Sequence, residues 1–211
     1  CVAAMRAAVD IPVTVKCRIG VDDQDPEIVL PAFVARMRDA GVERMAIHAR
    51  KAWLQGLSPK ENRDIPPLDY DLVDRVKRAF PDMHISLNGG IESLETAIAA
   101  LDRGLDGAMI GRAAYHDPWA ILGTADTRIF GIPAPFATPH EVAEAMIPYI
   151  EMHLAEGGRL HSVTRHMLGL FTGRPGARAW RRALSEEASR DGAGVDVLRF
   201  ALSKVPHADA A

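Results

Sequence analysis

The residues best suited to chemistry in this chain are glycines and basic groups gathered in short polar intervals. Asn88-Gly89-Gly90-Ile91 lies between an apolar run and a helical pattern, so its backbone N–H groups are unshielded by side chains and open to an anion. Glycine pairs also make tight turns that need positive φ, and taken alone this pair admits both readings. A second interval, Gly111-Arg112-Ala113-Ala114, sets a guanidinium beside a glycine after the next apolar run. Together the two suit a phosphate group. Lys16 interrupts Val13-Thr14-Val15-Lys16-Cys17, and His48 ends Met45-Ala46-Ile47-His48. A buried lysine there would be costly without an anionic or electron-rich ligand. The alternatives are a lysine on the solvent face of an edge strand and a histidine satisfied by core hydrogen bonds. Arg50, Lys51, Lys60 and Arg63 fall in a long interval after His48 and suit the phosphates of a polyanion, while Trp53 either anchors that loop or stacks on a base. No GxSxG, HExxH or Walker pattern occurs, and Cys1 and Cys17 have no zinc-site spacing, so neither a metal nor a disulfide framework is expected.

These residues need elements to hold them. Branched apolar runs at 13–17, 44–48, 84–87 and 107–110 predict strands, and three- or four-residue apolar spacing at 28–40, 72–80 and 94–103 predicts helices between and after them. Strands alternating with helices imply a parallel sheet, because parallel neighbours need a crossover long enough to hold a helix. That rhythm fits a doubly wound sheet and a (β/α)8 barrel alike. The loop chemistry favours the barrel: Lys16 and Arg18, His48 and Arg50, Asn88-Gly89-Gly90 and Gly111-Arg112 all fall at the C-terminal ends of strands, with two glycine loops after the last two. The fold class expected is therefore α/β, the C-terminal half of a TIM (β/α)8 barrel followed by a small all-helical domain. A barrel closes with eight βα units and four are visible, so the others are expected upstream of Cys1, which has neither an initiator Met nor a signal-peptide layout before it. The expected domains are a half-barrel at 1–130, a proline-rich linker at 131–139 and a helical region at 140–211. That region should hold helices at 140–154, kinked at Pro148, at 163–171 and at 177–184, with residues 203–211 frayed.

The 211 residues are 48% hydrophobic and 25% charged, an ordinary globular composition, and the net charge of -3 gives no global signature of nucleic-acid binding. Its distribution is uneven. Residues 159–182 contain no Asp or Glu, yet hold Arg159, Arg165, Arg174, Arg178, Arg181 and Arg182. A solvated helix face and a polyanion-binding face both fit. No apolar run reaches the roughly 20 residues of a membrane span, and two cysteines without a framework suit a reducing cytoplasm.

Several ordered motifs together carry a family resemblance. Val13-Thr14-Val15-Lys16-Cys17-Arg18-Ile19-Gly20, Ile47-His48-Ala49-Arg50, Ser58-Pro59-Lys60-Glu61-Asn62-Arg63, Leu87-Asn88-Gly89-Gly90-Ile91 and Met109-Ile110-Gly111-Arg112-Ala113-Ala114-Tyr115 resemble tRNA-dihydrouridine synthases. The loop His48-Ala49-Arg50-Lys51-Ala52-Trp53-Leu54, with Leu168-Gly169-Leu170-Phe171 and Pro175-Gly176-Ala177-Arg178-Ala179-Trp180-Arg181, points to the A subfamily. The resemblance implies an NADPH-dependent FMN enzyme that reduces the C5–C6 double bond of D-loop uridines, around position 20, in tRNA. It places Lys16 and His48 on the flavin, and Asn88, Gly89, Gly90, Gly111 and Arg112 on its phosphate. Lys60, Glu61, Arg63, Arg178 and Arg181 would meet tRNA, and Arg18 and Arg50 would help orient the uracil. The family's catalytic cysteine acid is expected upstream of this chain, so neither Cys1 nor Cys17 is assigned its role and the chain alone is expected to be inactive. Two competing readings are another FMN- or phosphate-binding barrel oxidoreductase, and a tRNA-binding half-barrel without redox chemistry that self-associates through its open edges.

Overall fold

The computed structural model describes residues 1–207 and divides the chain into two compact units, Cys1–Gly111 and a second beginning at Arg112.

The first unit alternates helix and strand: α1 (Val2–Ala8), β1 (Val15–Arg18), α2 (Pro26–Asp39), β2 (Arg44–His48), α3 (Tyr70–Ala79), β3 (His84–Asn88), α4 (Leu94–Asp102) and β4 (Gly107–Met109). The strands form one parallel sheet in the order β1-β2-β3-β4. A doubly wound sheet reverses direction at a switch point, whereas here each strand lies beside its sequence neighbour. With right-handed crossovers, unbroken sequential order winds every helix onto the same side, as in a (β/α)8 barrel, and four units are half of one. The helices start where side chains satisfy their free N–H groups. Asp25 accepts from Glu27 N–H at 3.0 Å ahead of Pro26, Asp69 from Leu72 N–H at 2.9 Å, and Ser93 from Thr96 N–H at 3.1 Å.

Register gives the two faces of the sheet opposite characters. Val15 pairs with Met45 and Met45 with Ile85; Cys17 pairs with Ile47, Ile47 with Leu87, and Leu87 with Ala108. These alternate positions form the apolar face, which packs with Leu30, Val34, Val73 and Ala100 into the core. The intervening positions carry Lys16, Ala46, Ser86 and Gly107 in one row, and Arg18, His48, Asn88 and Met109 in the next. An ordinary parallel sheet is apolar on both sides, so this polar face is the exception that calls for a function. At the opposite end of β3, Asp106 accepts from the Lys77 ammonium and from Ile85 N–H, each at 2.8 Å. Burial opposes ionisation of that carboxyl, but these two donors outweigh it and hold it below the usual carboxylate range.

The second unit is helical: α5 (Arg112–His116), α6 (Pro118–Leu122), α7 (Pro139–Ala145), α8 (Ile147–Ala155), α9 (Leu160–Thr164), α10 (Ala177–Glu187) and α11 (Val195–Leu202), with a π-helical turn at Asp126–Phe130. Its core centres on Phe171 and Trp180, whose rings meet edge-on at 4.9 Å, together with Ile150, Leu184 and Leu198. The residues expected as a linker, 131–139, belong to this unit. Thr138 caps α7 by accepting from Glu141 N–H at 3.2 Å, and the Glu141 carboxylate accepts in turn from the N–H of Ala137, just before the cap, at 2.8 Å. Pro148 does not kink a long helix. It lies in the first turn of α8, where its missing N–H costs nothing, and α7 ends before it. The helix expected at 163–171 is absent: α9 ends at Thr164 and turns follow. Gly169 packs so closely on the His116 carbonyl that an added Cβ would lie 2.5 Å from it, which fixes the chain by tertiary contact in place of helical pattern. Of the residues expected to fray, 203–205 are tied back by bonds such as Val205 N–H to Leu202 at 3.0 Å, with Val205 buried, while 208–211 lie outside the described residues.

Candidate functional site

The polar face of the sheet runs up to the loops that follow the strands. Lys16 lies on edge strand β1 and is exposed, the second of the two placements its sequence context left open. Partial desolvation, then the neighbouring Arg18 charge, still holds its ammonium below the ordinary lysine range. His48 is 8% exposed, and its ring lies against the next turn, where a Cβ on Gly89 would come within 3.1 Å of it.

That turn requires its glycines. Gly89 has φ +102 and Gly90 φ +66, both in the left-handed region, and a Cβ on Gly90 would lie 2.5 Å from Leu68 Cδ1 and 3.1 Å from the Tyr70 hydroxyl. The Tyr70 hydroxyl donates to the Gly89 carbonyl at 2.6 Å. Asn88 spends its side chain on the scaffold, donating to the Met109 carbonyl at 2.7 Å, and its own carbonyl accepts from Ala49 N–H at 2.9 Å. Among the described residues, no backbone carbonyl accepts from Gly90 or Ile91 N–H. Gly111 differs from the other two glycines: its φ is not left-handed, and an added Cβ would meet nothing within 4 Å. Backbone geometry does not demand a glycine there. Arg112 follows it directly and opens α5 in the second unit.

The long loop after β2 is a built object, and several residues expected to touch ligand serve to build it. Asn62 clamps Trp53 from both sides, its Nδ2 donating to the Trp53 carbonyl and its Oδ1 accepting from Trp53 N–H, each at 2.7 Å. Arg18 donates through Nη1 to the Lys51 and Asn62 carbonyls, both at 2.8 Å, which binds the loop to β1. Glu61 accepts from Ser58 N–H at 2.8 Å while Ser58 Oγ accepts from Glu61 N–H at 3.3 Å, a capping box around the short turn Glu61–Arg63. The serine hydrogen bonds hold the Glu61 carboxyl below its ordinary range. Asp22, at φ +47, accepts from Leu54 N–H at 2.7 Å and joins this loop to the one after β1. The structural roles of Asn62 and Asp22 were not legible in the sequence, because their partners are backbone groups distant along the chain.

Arg50 donates to the Pro66 carbonyl through Nη1, while its Nε is buried and has no hydrogen-bond partner among the described residues. Desolvation, then Arg50 and Arg63, depress the Arg18 guanidinium, so three like charges lie within electrostatic reach of one another at this loop. Lys60 and Arg63 are exposed on its outer surface. In the second unit, Arg178 and Arg181 are exposed on α10, opposite its buried face of Ala177, Trp180, Ala183 and Leu184. Cys17 lies on the apolar face, away from Lys16, and burial pushes its thiol up to about 11. Cys1 is exposed. Among the described residues there is no cluster of His, Cys, Asp or Glu able to hold a metal ion, and no helix is long and apolar enough to cross a membrane.

Comparison with known proteins gives these features a context. The profile of the family described as dihydrouridine synthase (Dus) matches residues 1–205. A Vibrio cholerae protein named tRNA-dihydrouridine(20/20a) synthase is 54% identical over 208 residues, covering 98% of this chain and 63% of that protein. Relatives of the same name from Shewanella oneidensis and Escherichia coli K12 are each 55% identical, over 97% of this chain and over 61% and 59% of their own lengths. The chain thus spans about three fifths of the curated relatives it matches. Among solved structures, a mandelate oxidase variant with benzoyl-formic acid aligns at 16% identity over 97% of this chain and 64% of its own, with a TM-score of 0.37, a likeness too distant to inform the fold. With the family profile matched over nearly its whole length and the family's motifs at the ends of successive strands, the chain belongs to the dihydrouridine synthase family.

Proposed function

We propose that this chain forms the flavin-phosphate and tRNA-contacting part of an enzyme that uses FMN and NADPH to reduce uridine to 5,6-dihydrouridine in the D-loop of tRNA, around position 20. The observation that carries the reading is the polar sheet face ending in the Gly89-Gly90 turn and the unobstructed Gly111. The residues present fit FMN. Two backbone N–H groups without carbonyl partners suit phosphate oxygens, and the orphaned Arg50 Nε suits an electron-rich group. FMN, when bound, supplies the hydride for uracil C6.

The chain's own residues then have distinct tasks. Lys16 projects from the polar face as a cation, to favour negative charge on the pyrimidine side of a flavin ring. His48 packs on the Gly89 backbone and shapes the same surface. Gly89, Gly90 and Gly111 let backbone donors approach the phosphate, and the resemblance assigns Arg112, next in the chain to Gly111, to the same group. Asn88 acts as a positioning residue that holds the turn against β4. Arg18 and Glu61 position the loop from which Lys60 and Arg63 meet RNA phosphates, while Arg50 orients the base and, in the second unit, Arg178 and Arg181 offer α10 to RNA phosphates. Proton delivery to uracil C5 falls to no cysteine of this chain, since Cys17 faces the apolar side.

FMN fluorescence titration, on this chain and on the same chain extended to its relatives' length, tests the reading. Binding that weakens in Lys16→Ala and in Gly111→Val, with thermal stability preserved in the latter, is the expected result. Folded proteins of both lengths that leave FMN fluorescence unchanged would overturn it.

A further inference from the structure

The helical unit contains a groove that the flavin site does not use. Met146, Tyr149, Val163, His166, Met167 and Leu170 line a cleft of about 520 Å³ in which no acidic residue takes part. That volume is within the ~300–1,000 Å³ typical of small-ligand clefts, and a cleft of this size suits a planar ring better than a partner helix. One cation stands beside it: the groove wall includes α9, and the exposed Arg165 follows that helix directly, whereas Arg159 at the other end of α9 is paired with Asp191 at 2.7 Å.

His166 is fixed at the mouth by both ring nitrogens. Arg165 Nε, which is always a donor, lies 3.0 Å from His166 Nε2, so that nitrogen accepts. In the neutral ring Nδ1 then carries the hydrogen and donates to the Tyr115 hydroxyl at 2.9 Å. Tyr115 and His166 also meet edge-to-face at 5.9 Å between ring centroids. Tyr149, 49% exposed, adds an aromatic wall. An apolar floor, aromatic walls and the Arg165 guanidinium beside His166 together match a ligand that joins an aromatic ring to a phosphate.

We propose that this groove takes one unstacked nucleobase of a single-stranded RNA segment, with Arg165 on the adjoining phosphate. The proposal rests on the RNA-binding part of the function proposed above and deepens it by assigning the helical unit to unpaired nucleotides. A base inside a duplex has no free face to offer, whereas an exposed base stacks on aromatic side chains irrespective of sequence.

The test is fluorescence anisotropy of a labelled oligouridylate and of a labelled blunt RNA duplex, against the full chain and its variants. Tyr149→Ala should weaken the oligouridylate about tenfold and the duplex by less than about twofold, as expected for loss of one stacking platform. Tyr149→Phe keeps a ring and should bind like the wild type, and Met146→Trp, which fills the groove, should reproduce the loss. Arg165→Ala should weaken both ligands alike, because both carry phosphates. If Tyr149→Ala and Met146→Trp leave oligouridylate binding unchanged, or weaken both RNAs equally, the groove is not a base site, while the broader RNA reading stands. If the wild type binds neither RNA, the RNA reading and the groove fall together. FMN titration of the same preparations reports separately on the flavin site.

Discussion

Replacing Asn62 with alanine isolates what holds the loop above the site. The substitution removes two hydrogen bonds of 2.7 Å, one to the Trp53 carbonyl and one from Trp53 N–H, and keeps the Asn62 main-chain carbonyl that Arg18 uses. Each such bond contributes about 1 kcal/mol net, so the loop should lose about 2 kcal/mol of local stability. The longer contacts of Nδ2 to the Leu57 and Ser58 carbonyls, at 3.3 and 3.4 Å, add little. About 2 kcal/mol corresponds to roughly a 30-fold rise in local opening. Amide hydrogen exchange reads this directly. Trp53 N–H should exchange about 30-fold faster in Asn62→Ala, while the Ile47 and Leu87 amides in the sheet keep their protection. Asn62→Asp keeps the acceptor and loses the donor, so it should show roughly half the free-energy effect. Acceleration of Trp53 by less than about threefold, or equal acceleration throughout the sheet, would refute the assignment of Asn62 as a local clamp.

Gly90→Ala should cost about 1–2 kcal/mol in thermal or urea unfolding, because its φ is +66 and the new Cβ would crowd Leu68 and Tyr70; an unchanged midpoint would count against the turn as described. Cys17 provides a pH signature. Burial raises its thiol from 9.0 to about 11, so the folded protein keeps a proton that the unfolded chain releases. Its contribution is intact below pH ~9 and is lost as pH rises toward ~11, reaching about 3 kcal/mol relative to Cys17→Ala, as measured by urea unfolding across that range.

Much of the first unit was legible because its pattern is local. The run Met45-Ala46-Ile47-His48 and the glycine stops gave strands and helices within a few residues of their ends, and β2 at its full extent. Sequence rhythm left the doubly wound alternative open; strand order removed it. The second unit was less legible, since Gly169 against the His116 carbonyl answers to a contact distant in sequence. The helix Val195–Leu202 was missed although Leu198 and Leu202 share a face. In the site, residue types located the loops but could not separate a charge that meets solvent from one that ties backbone. Lys16 and Arg18, two residues apart, divide in that way.

The contrast between the two sheet faces also bears on how the chain finds its alignment. Successive residues of a strand point to opposite sides, so a slip of β1 by one position would turn Lys16 toward the core and present Val15 and Cys17 to the polar side. The misaligned pairing would bury a charge among Leu30 and Val34 with no partner, an error far more costly than the loss of one ladder bond. Lys16 thereby acts as a proofreading mark, penalising wrong registers while the sheet assembles.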